Sequence, residues 1–539
     1  MRGCFLEDLG EKELRSVVFV IDDLHLHSVP HASRPMSGAR SRVRRLADGC
    51  GTTQSCAVEG DQGTMTRKAA LRLSFAPDDY LATWQLPSPN GGAFTAQGAL
   101  TVEAGKSPKA TAYGNFASQL EKEAGGGIGF PQSVDAPVLA GSLSNGANVL
   151  LVNAQVSYWL PDQATIHSTA AIITLADVAS EQALFEQFDI QITGLDAIAG
   201  VAPIKGTTFP KEGAAGIWSA ELASDFKQEW TDAGASLGLT YYGSIRSFDP
   251  YAFGMGFSPV AWGNLDEPVP FGQLLSEWIY PLRRVVSIAT GRPEEITYLT
   301  VYPVTGDESV REGQLFGSGI TQEPYESSRD EIEKIKSPLR LKSDSVSLLA
   351  LVRAWQRLES VHHPLVETYG AMLHARDQHP RSRFLLLLQA IEGAHGFETK
   401  ASFAKRQKKH TEDRDEVIAL AKDALDAKQL KFLERTLGKR PPGGLEPAID
   451  WLAKKLPADV KAQLDATPLI TATKAAPVSA KNAPDALRII RNDLAHGTRG
   501  YETYELHQVV AVLERMVRAH ALELLGCPND VISRVLGPS

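Results

Sequence analysis

The sequence predicts a multidomain α+β chain, with a β-rich, sandwich-like N-terminal domain followed by an all-α helical bundle. Three observations predict it. Short runs between residues 66 and 325 alternate apolar and polar positions with dense Gly and Pro punctuation. Beyond residue 340 the apolar residues recur at helical spacing instead. Between the two lies a strongly charged stretch, Glu326 to Lys336, closed by Ser337-Pro338. A length of 539 residues exceeds one ordinary hydrophobic core. The expected boundaries are 1–64, 66–325, 326–340 as a linker, and 341–539.

Residues 1–64 are rich in Arg, Ser, Gly and Asp and show little periodicity. Arg34, Arg40, Arg42, Arg44 and Arg45 could form a basic arm. Such a composition buries no core, so a disordered leader, or a mis-assigned start with the protein beginning at Met65, is the expectation.

In the β-rich part, Leu71 to Phe75 alternates with period two, as a half-buried strand should. Val138–Leu143, then Asn145-Gly146, then Val149–Val152 predicts a hairpin, because Asn-Gly tolerates the positive φ of a tight type I′ turn. Further strands are expected at Thr165–Thr174, Phe188–Thr193, Gly238–Tyr242 and Tyr298–Val304. One helix is expected among them, Phe271–Ala289, with Leu274, Leu275, Trp278, Ile279, Leu282 and Val285 at helical spacing. In the helical part, Asp344 can cap a helix carrying Val346, Leu349, Val352 and Trp355. Phe384–Ile391 is apolar nearly all round, the mark of a buried central helix. Leu430–Leu437 reads as another helix, ended by Gly438 and the loop at 439–444. Asn482 caps the next one, with Pro484 in its first turn. Thr503 opens the last long helix, lined by Leu506, Val509, Val510, Leu513, Met516, Val517 and Leu524.

Several function classes are excluded or weakened. The net charge of −9 argues against a broad nucleic-acid surface, so any such contact is local. No apolar run reaches the length of a membrane span, and the start lacks a signal-peptide core. Four cysteines make no disulfide framework, and Cys50 and Cys56 have no second pair to complete a zinc site. A reducing cytoplasm fits best, and no cofactor or metal is expected. Gly105-Lys106-Ser107 imitates the end of a phosphate loop, but Leu100 stands where its first glycine belongs. Gly125 to Gly129 follows no strand. His25 and His27 fall in the leader, and His362-His363 precedes Pro364 at an expected helix end, so no metal role is expected of them.

The segment Arg488 to Gly497 carries the chemistry. Ile489, Ile490 and Leu494 anchor one helix face, and Gly497 stops the helix, so His496 falls at its C-terminal end. The negative partial charge there favours a protonated imidazole. An imidazole can move the proton of an RNA 2′-OH near neutral pH. A guanidinium can clamp the phosphate and balance the charge on the phosphorane. Arg491 and His496 suit these roles, and Asn492 can bond phosphate or orient the imidazole. The products would be a 2′,3′-cyclic phosphate and a 5′-OH. Five helical steps set Arg491 and His496 roughly 140° apart, so they meet poorly within one continuous helix. The same residues also have a plain structural use: Arg491 can pair with Asp493 or Asp485, and His496 can cap the helix.

These residues resemble a known family. Arg491-Asn492-x-x-x-His496 is similar to the R-x4–6-H motif of HEPN domains. Arg383-Phe384-Leu385-x3-Gln389-Ala390-Ile391-Glu392 resembles the central helix of the ApeA-like HEPN group, with its Glu. Leu513-Glu514-x7-Leu522-x2-Leu525-Gly526 resembles that group's closing helix. Phe185-x2-Phe188-Asp189-Ile190-Gln191-Ile192-Thr193-Gly194-Leu195 resembles the ApeA N-terminal domain. The resemblance spans about residues 66–535. It implies a dormant, metal-independent endoribonuclease of bacterial anti-phage abortive infection, acting on RNA such as host tRNA or mRNA. It implies a homodimer through the HEPN domain that pairs two Arg-His motifs, and an N-terminal sensor domain answering a phage protein; the lack of an apolar span adds the expectation of no membrane partner. Glu392 would position Arg491 or His496, or serve as an ion-pair partner. Arg488, Lys405, Arg406, Lys408 and Lys409 would guide the RNA backbone, or form a solvated face. The alternative is a non-catalytic HEPN module for dimerisation or RNA binding. A third reading gives the main function to the β-rich domain as a carbohydrate- or peptide-binding module.

Overall fold

Side chains of a strand point alternately to opposite faces, and in Asp78–Pro87 this buries Ala82, Trp84 and Leu86 together. In the computed structural model this strand, β1, is the first of six that close into a barrel. The others are β2 (Ala93–Val102), β3 (Lys109–Tyr113), β4 (Gln132–Leu143), β5 (Asn148–Leu160) and β6 (Gln163–His167). Pairing of β6 with both β3 and β5 completes the ring. Trp84, Leu100, Phe116, Leu139, Val156 and Tyr158 fill it. Both polar ends of the large rings are satisfied, Trp84 Nε1 donating to Thr111 O at 3.0 Å and the Tyr158 hydroxyl to Pro87 O at 2.5 Å. The expected sandwich is therefore corrected to a barrel with an attached sheet. That sheet adds β7 (Ala170–Thr174), β8 (Leu184–Ile192), β9 (Gln228–Thr231), β10 (Ala235–Asp249), β11 (Ala252–Pro270), β12 (Ile296–Pro303) and β13 (Gly313–Gly317). The strand order is β9-β10-β11-β8-β12-β13-β7-β5-β4-β1-β2-β3-β6.

The structure describes residues 17–18, 71–123, 126–176, 183–208, 219–249, 252–304, 312–374, 378–438, 444–476 and 480–537. The expected leader, with its arginines, His25, His27, Cys50, Cys56 and Met65, lies outside them apart from Val17–Val18, as do Gly125 and most of the 439–444 loop. The chain forms two compact units, residues 1–68 with 202–224, and residues 69–201 with 225–539. In the first, Ser219–Leu222 pairs antiparallel with both Val17–Val18 and Ile204–Thr208. The barrel, sheet and helices belong to the second.

Four local expectations change. Leu71–Phe75 forms no strand; the Gln314 side chain bonds both Phe75 N and Phe75 O, taking the place of a neighbouring strand. The β4–β5 hairpin forms, but Gly146 has φ 86° while Asn145 is not in the positive-φ region. Its three-residue loop ends on a left-handed glycine, and Asn145 Oδ1 accepts from Ala147 N. Thr165–Thr174 divides into β6 and β7. Asp344 is not the helix cap: Ser347 accepts from Ala350 N, and Asp344 instead binds Arg340 N and Arg534.

The helices are α1 (Leu195–Ala199), α2 (Tyr280–Thr290), α3 (Arg329–Ile335), α4 (Leu348–Ser360), α5 (Pro364–His374), α6 (Pro380–Glu398) and α7 (Lys400–Lys422). They continue with α8 (Ala427–Thr436), α9 (Leu445–Lys455), α10 (Val460–Asp465), α11 (Pro468–Ala475), α12 (Ala483–His496), α13 (Thr503–Leu524) and α14 (Asn529–Leu536). The expected Phe271–Ala289 helix is present, widened by a π turn at Leu275–Ile279. One apolar cluster runs from Phe188 and Ile190 of the sheet through Val285 and Ile288 of α2 to Leu387 of α6 and Leu513 of α13.

Because α2 is buried between sheet and bundle, its terminal carbonyls need donors from protein. Arg518 of α13 supplies them, donating to Ile288 O at 2.9 Å and to Ala289 O. Gly291 has φ +72°, and a Cβ there would stand 2.5 Å from Arg518 Nη1. Replacing Arg518 with Ala should destabilise the fold by about 2–4 kcal/mol, since two hydrogen bonds to a charged donor are lost and Ile288 O is orphaned, while Ala289 O keeps the Ser337 hydroxyl. Chemical unfolding of the purified chain measures this. An unchanged midpoint would mean that water or a neighbour satisfies those carbonyls equally well.

Candidate functional site

The helix α12 forms as its sequence requires. Asn482 accepts from Asp485 N at 2.9 Å, Pro484 occupies the first turn, and Ala486, Leu487, Ile490 and Leu494 make the buried face. Gly497, at φ 69°, ends it, and its N–H bonds Asp493 O. His496 is the last helical residue and is exposed, with no hydrogen-bond or ion-pair partner among the described residues. It stands where the last carbonyls of the helix concentrate negative partial charge.

Arg491, also exposed, has one carboxylate partner, Glu392 of the central helix α6, with Nη2 3.5 Å from Oε2. Its Nη1 stands 3.5 Å from Asn492 Oδ1. Both distances are at the long limit of a hydrogen bond, so the guanidinium is loosely held. The structure thus brings together Arg491, Asn492 and Glu392. The two structural partners considered for Arg491 are occupied elsewhere. Asp493 accepts from the Tyr501 hydroxyl at 2.5 Å and from Thr498 Oγ1 at 3.0 Å. Asp485 accepts from Arg488 Nη2 at 2.6 Å.

Arg488 itself is engaged, since its Nε also donates to Glu446 of α9 at 2.9 Å. Lys405, Arg406, Lys408 and Lys409 are exposed on α7, a helix with no buried residue. No hydrogen bond or ion pair among the described residues joins them to α12. Arg406 lies over the Phe403 ring at 5.9 Å. Polar ties add to the apolar packing: Arg381 of α6 donates to Leu494 O of α12, and Arg383 of α6 pairs with Glu514 of α13 at 2.5 Å. Arg383 and Glu514, noted separately in the sequence, are thus each other's partners.

A comparison with family models matches residues 79–355 to the ApeA N-terminal domain 1, more than half of the chain. The chain belongs to this ApeA family. Neither the comparison with curated proteins nor that with solved structures returned a match. The ApeA segment takes in the barrel, the sheet and the first half of α4. Contacts agree with that extent, because Arg353 of α4 forks onto Asp232 at 2.8 and 3.1 Å and lies 4.5 Å over the Trp278 ring. The segment ends before α6 and α12.

The ApeA-family chain also holds a partly buried polar cluster that the sequence did not reveal. Glu398, at the end of α6, accepts from His520 Nε2 at 2.6 Å and Lys455 Nζ at 2.7 Å, and His363 Nε2 lies at 3.5 Å. His520 is 1% exposed, and its Nδ1 meets Glu523 Oε2 at 2.9 Å. Trp451 packs edge-on against His520, and Lys455 lies over its ring. Only the i, i+3 spacing of His520 and Glu523 was visible in the sequence; Glu398 is 122 residues away. Among the described residues no group of three or more His, Cys, Asp and Glu is arranged to hold a metal.

Burial raises the Glu398 carboxyl, but bonds from His363, His520 and Lys455 outweigh it and hold the group well below its usual range. Bonding to His520 likewise lowers Glu523. Burial disfavours charge on His520, but Glu398 and Glu523 outweigh this and raise its imidazole above 6.5. The stability from His520 is therefore complete below its unfolded pKa and lost as pH rises through the folded one. That from the carboxylates is present above 4.5 and lost as pH falls through their lowered values. The gap in melting temperature between wild type and His520→Gln should be widest near pH 5–6 and narrow on both sides. A gap that does not vary with pH would show that packing, not charge, is the role of His520.

Proposed function

We propose that the helical region is a HEPN-type endoribonuclease, dormant until infection, that cuts RNA without a metal. The ApeA N-terminal domain supports a place in ApeA-type anti-phage defence. The observation that carries the ribonuclease reading is the contrast among neighbouring basic side chains. Arg381, Arg383 and Arg488 each hold a close structural partner. Arg491 is only loosely held, His496 has no partner among the described residues, and both face solvent.

The proposed chemistry follows from these groups. RNA supplies its own nucleophile, the 2′-OH, so no metal is needed to generate one. His496 takes that proton or delivers one to the leaving 5′-oxygen. Arg491 clamps the phosphate and stabilises the developing charge. Glu392 and Asn492 orient Arg491 until phosphate displaces them. Because Arg491 and His496 lie roughly 140° apart around an undistorted helix, the working site combines Arg491 of one copy with His496 of another. The substrate is cellular RNA, tRNA or mRNA, and the ApeA domain answers a phage protein. The same divergence favours a second reading, a HEPN fold used only for dimerisation or RNA binding.

Purified wild type should cleave RNA to 2′,3′-cyclic phosphate ends once activated, in phage-challenged cells or their extracts. His496→Ala and Arg491→Ala should each lower the rate by about 10²–10⁴-fold while remaining folded. An equimolar mixture of the two variants should recover a substantial part of the activity, since a mixed pair regenerates one intact site. Folded variants that protect cells and fragment RNA as wild type does would leave the non-catalytic reading. Loss in both variants without recovery on mixing would place the complete site in one copy.

Glu392→Gln separates orienting from structure. Loss of the orienting charge should raise KM for RNA with kcat and the melting temperature little changed. A fall in melting temperature with unchanged KM would make Glu392 a structural ion-pair partner.

A further inference from the structure

The ApeA region contains a cavity of about 200 Å³, away from α12, whose lining joins elements distant in sequence. Its wall is apolar: Leu275, Ile279, Ile296, Leu299, Leu315 and Ile320. Leu275 and Ile279 begin and end the π turn, a distortion that often marks functional sites. The volume is somewhat larger than the roughly 150 Å³ that accommodates benzene. It therefore suits one ring, or a short alkyl body, with a small polar head.

One charged side chain enters this lining. Arg283 lies one turn beyond Ile279, and its Nε donates to Glu294 O at 2.7 Å, which fixes the plane of the guanidinium. Neither terminal nitrogen has a hydrogen-bond or ion-pair partner among the described residues. No carboxylate lines the cavity. Ser107 and Ser318 add hydroxyls, Ser107 coming from the Gly105-Lys106-Ser107 turn that only imitates a phosphate loop. A half-buried guanidinium against apolar walls gains most from an anion that completes its hydrogen bonds.

We propose that this cavity binds a small organic anion, an apolar body of about one ring carrying a single carboxylate or phosphate that Arg283 clamps. Such pockets, apolar with a few convergent polar groups, are the usual form of small-molecule sites. The site is independent of the proposed ribonuclease centre, and its test does not read RNA cleavage.

Calorimetric titration of the full chain with four probes decides the matter: benzoate, phenyl phosphate, benzyl alcohol and inorganic phosphate. Benzoate or phenyl phosphate should bind, and the tighter of the two names the head group. Benzyl alcohol, with the body alone, and inorganic phosphate, with the charge alone, should each bind at least about tenfold more weakly. Arg283→Gln should weaken the binding anion about tenfold or more. Ser318 is exposed at the rim, so Ser318→Trp tests occlusion without disturbing the core and stands alone if Arg283→Gln does not fold. The proposal is overturned if neither anion binds by about 10 mM, if benzyl alcohol binds as tightly as they do, or if binding survives Ser318→Trp.

Discussion

The burial of α2 on both sides is the constraint on which the larger unit depends. One face of this helix covers the sheet and the other meets the bundle, so Val285, Val286, Ile288 and Ala289 are all buried. A helix end placed there cannot leave its carbonyls to water. Arg518 answers that need from α13, and a glycine follows the helix because a side chain at Gly291 would strike the guanidinium. The sheet and the bundle thus share one core and one polar staple.

From that staple, ties lead stepwise to α12. On α13, Glu514 lies one helical turn before Arg518 and pairs with Arg383 of α6, and Arg381 of α6 bonds Leu494 O near the end of α12. Each tie satisfies a group that would otherwise be orphaned, and together they fix the backbone beside His496. They do not use the side chains of Arg491 or His496. At the edge of this frame stand a loosely held guanidinium and, among the described residues, an unpartnered imidazole. Lying between the ApeA domain and α12 does not by itself make these ties a signalling route.

The sequence showed individual elements better than their closure. The apolar runs on either side of Asn145-Gly146 located β4 and β5. No local pattern says that β6 pairs with both β3 and β5, and that double pairing is the difference between a sandwich and a barrel. Leu71–Phe75 alternates convincingly, yet the Gln314 side chain takes the place of a second strand. Ser347 outcompeted Asp344 because the helix begins one residue after it, a boundary that periodicity fixes only loosely. The long helix α7 was overlooked for a physical reason: with no buried residue, it carries no apolar stripe to read. The Arg-His segment was legible because its cap, Pro484 and Gly497 are local signals. The Glu398–His520 cluster was not, since its members come together only through the packing of α6, α9 and α13.

The place of His496 at the end of α12 bears on how a composite site would work. An imidazole there could serve as the acid that protonates a leaving oxygen. Cleavage would also need a cation on the phosphate, and five ideal helical steps set Arg491 roughly 140° from His496 around the same helix. A second copy removes this geometric conflict without distorting either helix, because a two-fold axis presents each motif to the other. The loose contact between Arg491 and Glu392 would then have a use in the unpaired state. It would hold the guanidinium near its working position with a bond weak enough for an RNA phosphate to replace. On this reading a single copy is silent for want of geometry rather than of residues, and whatever brings two copies together is the step that switches cleavage on.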